Sequence, residues 1–244
     1  MIDTHAHFGD DADEVLGRAR AAGVTRVVAV ATSLAGAQSA LALADAEDGV
    51  FACLGIHPHE AATSEARNVD ALRELLAHPK AVAVGETGLD YFRDYAPADD
   101  QRRLFDAQLA LARETGKPVV IHTRAADDDT AARLVAHEGR VVLHCFSSPP
   151  LLEPALDHGW YVSFAGNVTY KNAYDLRAAA RAVPAELLLA ETDSPYLAPQ
   201  AVRGRRNESA NVVHTYRTLA ESRGVDFDDL VTQVDANAAR VFAL

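Results

Sequence analysis

Cysteine is scarce in this chain, and so are other features that would assign it to a special class of protein. Among the 244 residues there are two cysteines, Cys53 and Cys145, in apolar runs and without Cys-x-x-Cys spacing. We expect buried free thiols and a reducing compartment. No apolar run approaches the ~18 residues of a membrane span, and the N-terminal sequence resembles no signal peptide. The sequence therefore predicts a cytoplasmic protein without a membrane segment.

Positive charge is also in deficit. The chain has 23 lysines and arginines against 35 acidic residues, a formal net charge of −12. Proteins that wrap a long duplex usually present a broad basic face. This balance argues against a broad nucleic-acid groove, but not against a nuclease pocket in which a few local cations bind phosphates.

Short β-prone apolar runs alternate with amphipathic, alanine-rich stretches throughout the chain. The alternation predicts crossover helices between eight strands, at residues 2–4, 26–31, 50–56, 81–85, 118–122, 140–144, 160–164 and 186–190. Eight parallel strands in about 250 residues are typical of a (β/α)8 TIM barrel. A doubly wound sheet is the alternative, but it normally has a glycine-rich loop after the first strand, where this chain has His5-Ala6-His7. Linkers and repeats are absent, so we expect a single domain over residues 1–244.

Side chains that can bind a metal end most of the predicted strands. In a TIM barrel the active site lies at the carboxyl ends of the strands. His5 and His7 are two residues apart, so on a strand both imidazoles point to one face. Five further strand ends carry His57 with His59, then Glu86, His122, His144 and Asp193. Residues scattered at random would fall mostly on helices, so this convergence predicts a metal centre.

The donors are too numerous for one tetrahedral ion, but they suit two ions if the Glu86 carboxylate bridges them. One ion would take His5, His7, Glu86 and Asp193, and the other Glu86, His122 and His144. Ions about 3.5–4 Å apart bind both the attacking and the leaving oxygen of a phosphodiester, and they lower the pKa of a bound water from about 15.7 toward neutrality. Asp193 is also a candidate general base. Mixed imidazole and carboxylate donors are compatible with Mg, Mn or Zn.

Other residues near these strand ends are candidates for binding substrate. Arg124, Lys171 and Arg205 either bind phosphate oxygens or are solvated surface charges. His57 is a candidate hydrogen-bonding group toward the substrate. Three aromatic residues either stack on an unpaired base or pack on the barrel rim, and they are Tyr91, Phe92 and Tyr170. Glu191 precedes Asp193 by two positions and is expected to orient a ligating histidine.

Eight segments resemble the TatD family of metal-dependent deoxyribonucleases. In chain order they are DTHAHF, GIHPHE, VGETGLDYFRD, FDAQLALARETGKPVVIHTRAADD, VLHCFS, YVSFAGNVTYKNA, AETDSPYLAPQ and RGRRNE. The resemblance covers residues 3–208, and the final helix is similar as well. It implies a TIM-barrel hydrolase with two metal ions that cleaves DNA during repair or degradation, in some members as an exonuclease on single strands. The metal ligands that it implies are the same six residues. The chain departs from the family at Phe8-Gly9-Asp10, where Leu-Asp is frequent, and at Thr123, where Ser or Cys is commoner.

Two other functions remain open from the sequence. The same metals are suited to hydrolysis of a carboxylic ester or amide, such as the bond between a D-amino acid and tRNA. Many amidohydrolase barrels use a carboxylated lysine as the bridge on strand four, and Glu86 in that place favours the phosphodiesterase. A metal-containing scaffold without turnover would be indicated by a missing ligand, but all six are present. We therefore predict a monomeric deoxyribonuclease that acts on single strands or frayed ends of DNA with two divalent ions.

Overall fold

The strands form one parallel sheet, paired in chain order, that curves into a barrel. The computed structural model describes residues 1–93 and 95–244. The strands are β1 (Ile2–Ala6), β2 (Arg26–Val30), β3 (Val50–Leu54), β4 (Ala81–Asp90), β5 (Val119–Arg124), β6 (Val141–Leu143), β7 (Tyr161–Phe164) and β8 (Leu188–Ala190). The predicted (β/α)8 barrel is confirmed, because a doubly wound sheet would reverse its strand order at a switch point.

Helices follow the strands and cover the outside of the sheet. They are α1 (Ala12–Ala21), α2 (Leu34–Ala46), α3 (Asp70–Leu76), α4 (Ala98–Thr115), α5 (Asp127–Val135), α6 (Leu152–His158), α7 (Tyr174–Ala182), α8 (Val212–Arg223) and α9 (Phe227–Phe242). Within the described ranges, no helix combines the length and the apolar character needed to cross a bilayer.

Strand β4 continues five residues further than its predicted end at Gly85, to Asp90. Gly88 allows this extension, because it pairs with His122 of β5 and adopts a φ of 138°. A Cβ at this position would lie 2.0 Å from the carbonyl oxygen of His122. Glycine usually weakens a strand, but here the missing side chain lets β4 and β5 approach closely, so their pairing continues past Gly88. All ten residues of β4 are buried.

Side chains join β8 to β1 where the barrel closes. Thr192 donates from its backbone nitrogen to Asp3 Oδ1 over 2.9 Å and from its hydroxyl to Asp3 Oδ2 over 2.6 Å. Thr4 donates from its hydroxyl to the carbonyl of Ala190 over 3.1 Å. Burial raises the pKa of Asp3 to about 7, although the hydrogen bonds from Thr192 oppose the shift. The buried side chain of Asp3 thus links β1 to the segment that follows β8.

Candidate metal centre

The structure brings all six predicted ligands together at the carboxyl ends of the strands. His5 and Glu86 lie on β1 and β4, while His122 lies on β5. The remaining three ligands lie within three residues after a strand end: His7 after β1, His144 after β6 and Asp193 after β8. The Nε2 atoms of His5 and His7 are 3.3 Å apart. The predicted alternation along β1 therefore gives one face with two imidazoles.

The two oxygens of Glu86 face two different groups of imidazoles. Oε2 lies 3.6 Å from Nε2 of His5 and 3.7 Å from Nε2 of His7. Oε1 lies 2.9 Å from Nδ1 of His122 and 3.2 Å from Nε2 of His144. One carboxylate, which is almost fully buried, therefore stands between two clusters of potential ligands.

Asp193 joins the β1 side of this arrangement. Its Oδ1 lies 3.5 Å from Nε2 of His7 and 4.0 Å from Nε2 of His5. Its backbone nitrogen donates to the carbonyl of His5 over 3.0 Å, and its φ of 55° is left-handed. Aspartate tolerates this conformation better than most residues. The turn after β8 thereby directs the carboxylate toward the two β1 imidazoles.

Hydrogen bonds behind two of the histidines determine which ring nitrogen faces Glu86. Nδ1 of His7 lies 3.0 Å from the carbonyl of Val30, which can only accept, so Nδ1 carries the proton. Nδ1 of His144 lies 2.8 Å from Oε1 of Glu191, which acts in the same way. Each neutral ring consequently presents an unprotonated Nε2 to the site. Glu191 thus lies where it can orient a ligating histidine.

His57 has the opposite arrangement of protons. Its Nδ1 accepts a hydrogen bond from the backbone nitrogen of His59 over 3.1 Å, so the neutral ring carries its proton on Nε2. That nitrogen faces Oε1 of Glu86 at 3.5 Å. Burial lowers the pKa of His57, which favours the neutral form although Glu86 opposes the shift. His57 is therefore arranged as a donor into the site and is less suited to ligate an ion.

Asp90 lies against the ligand cluster, a position that the sequence pattern did not predict. Its Oδ2 lies 2.8 Å from Nε2 of His59 and 3.3 Å from Nε2 of His122. Its Oδ1 accepts from the backbone nitrogens of Phe92 and Arg93. The available signal was the two-residue period of a strand, which puts residues 86, 88 and 90 on one face, but β4 was predicted to end at Gly85.

The electrostatics of the cluster favour a cation. Burial opposes ionisation of Glu86, but the surrounding imidazoles of His57, His144 and His122 outweigh it and hold the pKa of Glu86 well below its usual value. The pKa of Asp193 is lowered too, because its bond with His7 outweighs burial. Conversely, Glu191 and Glu86 outweigh burial at His144 and raise its pKa well above the usual value.

These charges provide a test of whether a metal ion fits. When the ring is neutral, Nε2 of His144 and the facing oxygen of Glu86 are both acceptors, and they lie 3.2 Å apart. Two acceptors at such a distance repel each other unless a proton or a cation interacts with both. Ionised carboxylates beside imidazoles with an inward lone pair are the donors that divalent ions take. The residues present therefore fit a divalent metal ion.

The other predicted substrate residues lie at the rim of the barrel. Arg124 ends β5 with an exposed side chain, and the exposed Lys171 and Arg205 follow β7 and β8. Tyr91 is half-buried, and its hydroxyl donates to Asp129 Oδ2 over 2.5 Å while accepting from Arg102 over 3.1 Å. Of the five predicted substrate residues, the structure therefore brings only His57 into the ligand cluster. The other four lie on or after the carboxyl ends of the strands, outside that cluster.

One of the two cysteines differs from its predicted setting. Cys53 is buried in β3, as expected. Cys145 is only half-buried and lies in a turn just after β6, with a left-handed φ of 46°. Its backbone nitrogen donates to Oε1 of Glu191 over 2.7 Å. This turn therefore helps to fix the carboxylate that holds His144.

Comparisons with known proteins agree with this architecture. The family model described as TatD related DNase matches residues 2–243. The chain is 35% identical to the metal-dependent hydrolase YabD of Bacillus subtilis (strain 168), over 100% of the chain and 99% of the relative. It is 37% identical to the 3'-5' ssDNA/RNA exonuclease TatD of Klebsiella pneumoniae (strain 342), over 99% and 95%. The crystal structure of YJJV, a TatD homolog from Escherichia coli K12, superposes with a TM-score of 0.93 at 31% identity, covering 100% of this chain and 98% of that one.

Proposed function

The chain belongs to the family of TatD related DNases and is a metal-dependent hydrolase, and from that premise we propose that it is an exodeoxyribonuclease acting on single-stranded DNA. In this proposal two divalent ions, Mg, Mn or Zn, are held by His5, His7, Glu86 and Asp193 on one side and by Glu86, His122 and His144 on the other. The relatives named as exonucleases support the choice of substrate.

The observation that carries the proposal is the position of Glu86. Its Oε2 faces the histidines of β1, and its Oε1 faces those of β5 and β6. A bridging carboxylate of this kind suits a pair of ions, and a pair of ions suits the two oxygens that exchange at phosphorus. Such ions would lower the pKa of a water and stabilise charge on the phosphate oxygens.

The chain's own groups would supply the remaining functions. Asp193 stays ionised at neutral pH because its pKa is lowered, so its carboxylate is able to accept a proton from the attacking water. His57 carries its proton on Nε2 and would donate a hydrogen bond from that nitrogen to a phosphate oxygen. Arg124, Lys171 and Arg205 would hold phosphates farther along the strand, and arginine does so with two parallel bonds.

The proposal is tested by hydrolysis of a 5′-labelled single-stranded oligonucleotide. Metal-stripped protein receives Mg, Mn or Zn, and Glu86→Ala and Asp193→Ala are assayed in parallel. We expect a metal-dependent ladder of shortened products, with turnover reduced by orders of magnitude in both variants. Glu138→Ala replaces an exposed glutamate that makes no described hydrogen bond, and it should retain full turnover. Circular dichroism verifies that each variant is folded.

Other results would reject the proposal. Substantial turnover by Glu86→Ala would contradict the bridging role. Metal binding without cleavage of any oligonucleotide would reject the nuclease, and the same preparation would then be assayed on D-aminoacyl-tRNA and on simple carboxylic esters. Hydrolysis of those substrates, dependent on Glu86, would establish the alternative function on the same barrel.

A further inference from the structure

We infer that two arginine–aromatic pairs flank the metal centre and bind bases of single-stranded DNA by stacking. One pair is Phe92 with Arg124, and the other is Tyr170 with Arg203. The inference deepens the proposed function and rests on it. Because stacking recognises the flat face of any base, the inference implies that binding does not depend on the DNA sequence.

The first pair is exposed but firmly anchored. The guanidinium carbon of Arg124 lies 3.9 Å from the centre of the Phe92 ring, and Phe92 is 61% exposed. The backbone nitrogen of Phe92 donates to Oδ1 of Asp90 over 3.0 Å. Arg124 pairs with Asp90 in the ladder of β4 and β5. The carboxylate that contacts His122 therefore also fixes the position of this pair.

The second pair joins the loops that follow β7 and β8. The guanidinium carbon of Arg203 lies 4.2 Å from the centre of the Tyr170 ring. Arg177 donates to the carbonyl of Tyr170 over 2.8 Å. Gln200 donates from its backbone to the hydroxyl of Thr169 over 2.7 Å, which ties the two loops together. Both pairs lie at the carboxyl ends of the strands. The first is beside β4 and β5, and the second is three strands further around the barrel, beside β7 and β8.

These two arginines differ from several others in how their charge is balanced. Arg73, Arg102 and Arg133 all pair with acidic side chains on the outer helices. Within residues 1–93 and 95–244, Arg124 and Arg203 form no ion pair, and their guanidinium carbons lie over aromatic rings instead. In a chain of net charge −12, such uncompensated cations beside the site favour an anionic ligand.

Their chemistry matches a single nucleic-acid strand. A guanidinium that stacks on a ring keeps its N–H edge available for a phosphate, and the opposite face of the ring is available for a base. A base within a duplex already stacks on both faces, so this surface selects unpaired nucleotides. The three candidate aromatic residues are thereby distinguished, because the half-buried Tyr91 is held by Asp129 and Arg102, whereas Phe92 projects into solvent.

The test compares two oligonucleotides with equal phosphates, one with normal bases and one with abasic sites. Both carry phosphorothioate linkages that resist cleavage, and binding is measured by fluorescence anisotropy in the presence of the working metal. Phe92→Leu and Tyr170→Leu each remove one ring. We expect each variant to lose about 5- to 150-fold in affinity for the normal strand, as expected for one stacked base, and little for the abasic strand.

A matched control is available at the other end of the barrel. Lys80 lies 5.1 Å from the ring centre of Phe51 in β3, next to the start of β4. Phe51→Leu also removes a ring from a cation–aromatic pair and should leave both affinities unchanged. Phe92→Trp keeps a ring and should keep the affinity. Its fluorescence should be quenched by the normal strand alone, and because Trp160 is only 3% exposed, a bound strand should not quench the emission of Trp160.

The outcomes separate this inference from the proposed function. If the wild-type protein cleaves oligonucleotides while both leucine variants keep their preference for normal bases, the stacking surfaces are rejected and the nuclease stands. If the wild-type protein neither cleaves nor binds oligonucleotides, the proposed function fails and this inference fails with it. Cleavage of oligonucleotides by the wild-type protein, together with a selective loss of normal-strand affinity in the leucine variants and an unchanged affinity for the abasic strand, supports both.

Discussion

The Oδ2 atom of Asp90 lies 3.3 Å from Nε2 of His122, while Oε1 of Glu86 lies 2.9 Å from Nδ1 on the other side of the same ring. The bonds from His122 and from the backbone of Arg93 outweigh burial and lower the pKa of Asp90, so it accepts the Nε2 proton as a carboxylate. Nδ1 then keeps its lone pair toward Glu86. An acidic partner behind a histidine is a known means of orienting a metal ligand.

We predict that Asp90→Asn weakens metal binding by about 10- to 100-fold, because an amide in place of Oδ2 is able to donate a proton toward His122. The remaining oxygen still accepts from Phe92 and Arg93, so the turn should persist. Isothermal titration of the metal-stripped protein measures the affinity directly. Asp129→Asn changes a carboxylate on the outside of the barrel and is the control. Equal affinities for the Asp90 variant and the wild type would contradict the role.

A second prediction concerns the closure of the barrel at Asp3. Asp3→Ala removes both acceptors of Thr192 and leaves its buried backbone N–H unpaired, at a cost of about 1–3 kcal/mol for that group. Asp3→Asn keeps one acceptor and should cost clearly less. Urea unfolding gives the free energy of each variant. Equal stability of the two variants would show that the carboxylate does not hold β8 to β1.

Two glycines should respond to alanine in opposite directions. Gly88→Ala brings a methyl group within 2.0 Å of a carbonyl oxygen and strains a φ of 138°, so we expect a lower midpoint of thermal unfolding and weaker metal binding. Gly17 is an exposed residue inside α1, and a Cβ added there would have no neighbouring atom within 4 Å. Gly17→Ala should stabilise the protein by about 0.5–1 kcal/mol. A neutral result for Gly88→Ala would contradict the crowding between β4 and β5.

His137 gives a prediction about pH. Burial, and then the positive charge of Arg113, lower its pKa below the ordinary value of about 6.5. The unfolded chain therefore binds a proton at this residue more readily than the folded chain, and the free energy of unfolding falls as the pH falls below about 6.5. His137→Gln should lose less stability between pH 8 and pH 5.5 than the wild type does. Urea unfolding at both values tests this, and parallel losses would refute it.

The fold and the ligands were predictable because their signals are local. Each ligand stands at the end of an apolar run, and an alternating pattern of strands and helices is enough to bring such ends together. The role of Asp90 was not predictable in this way, because Gly88 resembles a strand end until its contact with β5 is known. The pairing of Arg203 with Tyr170 depends likewise on the paths of two loops that are far apart in sequence.

The closing bond between Asp3 and Thr192 joins residues 189 positions apart, so it has a consequence for synthesis on the ribosome. At a synthesis rate of about 5–20 residues per second, the segment with Asp193 is made roughly tens of seconds after His5 and His7. Until then the candidate centre lacks one of its carboxylates, and the barrel has an open edge. A nascent chain that stalls before Asp193 would therefore lack the complete set of metal ligands, and only a chain that extends past this residue is able to assemble it.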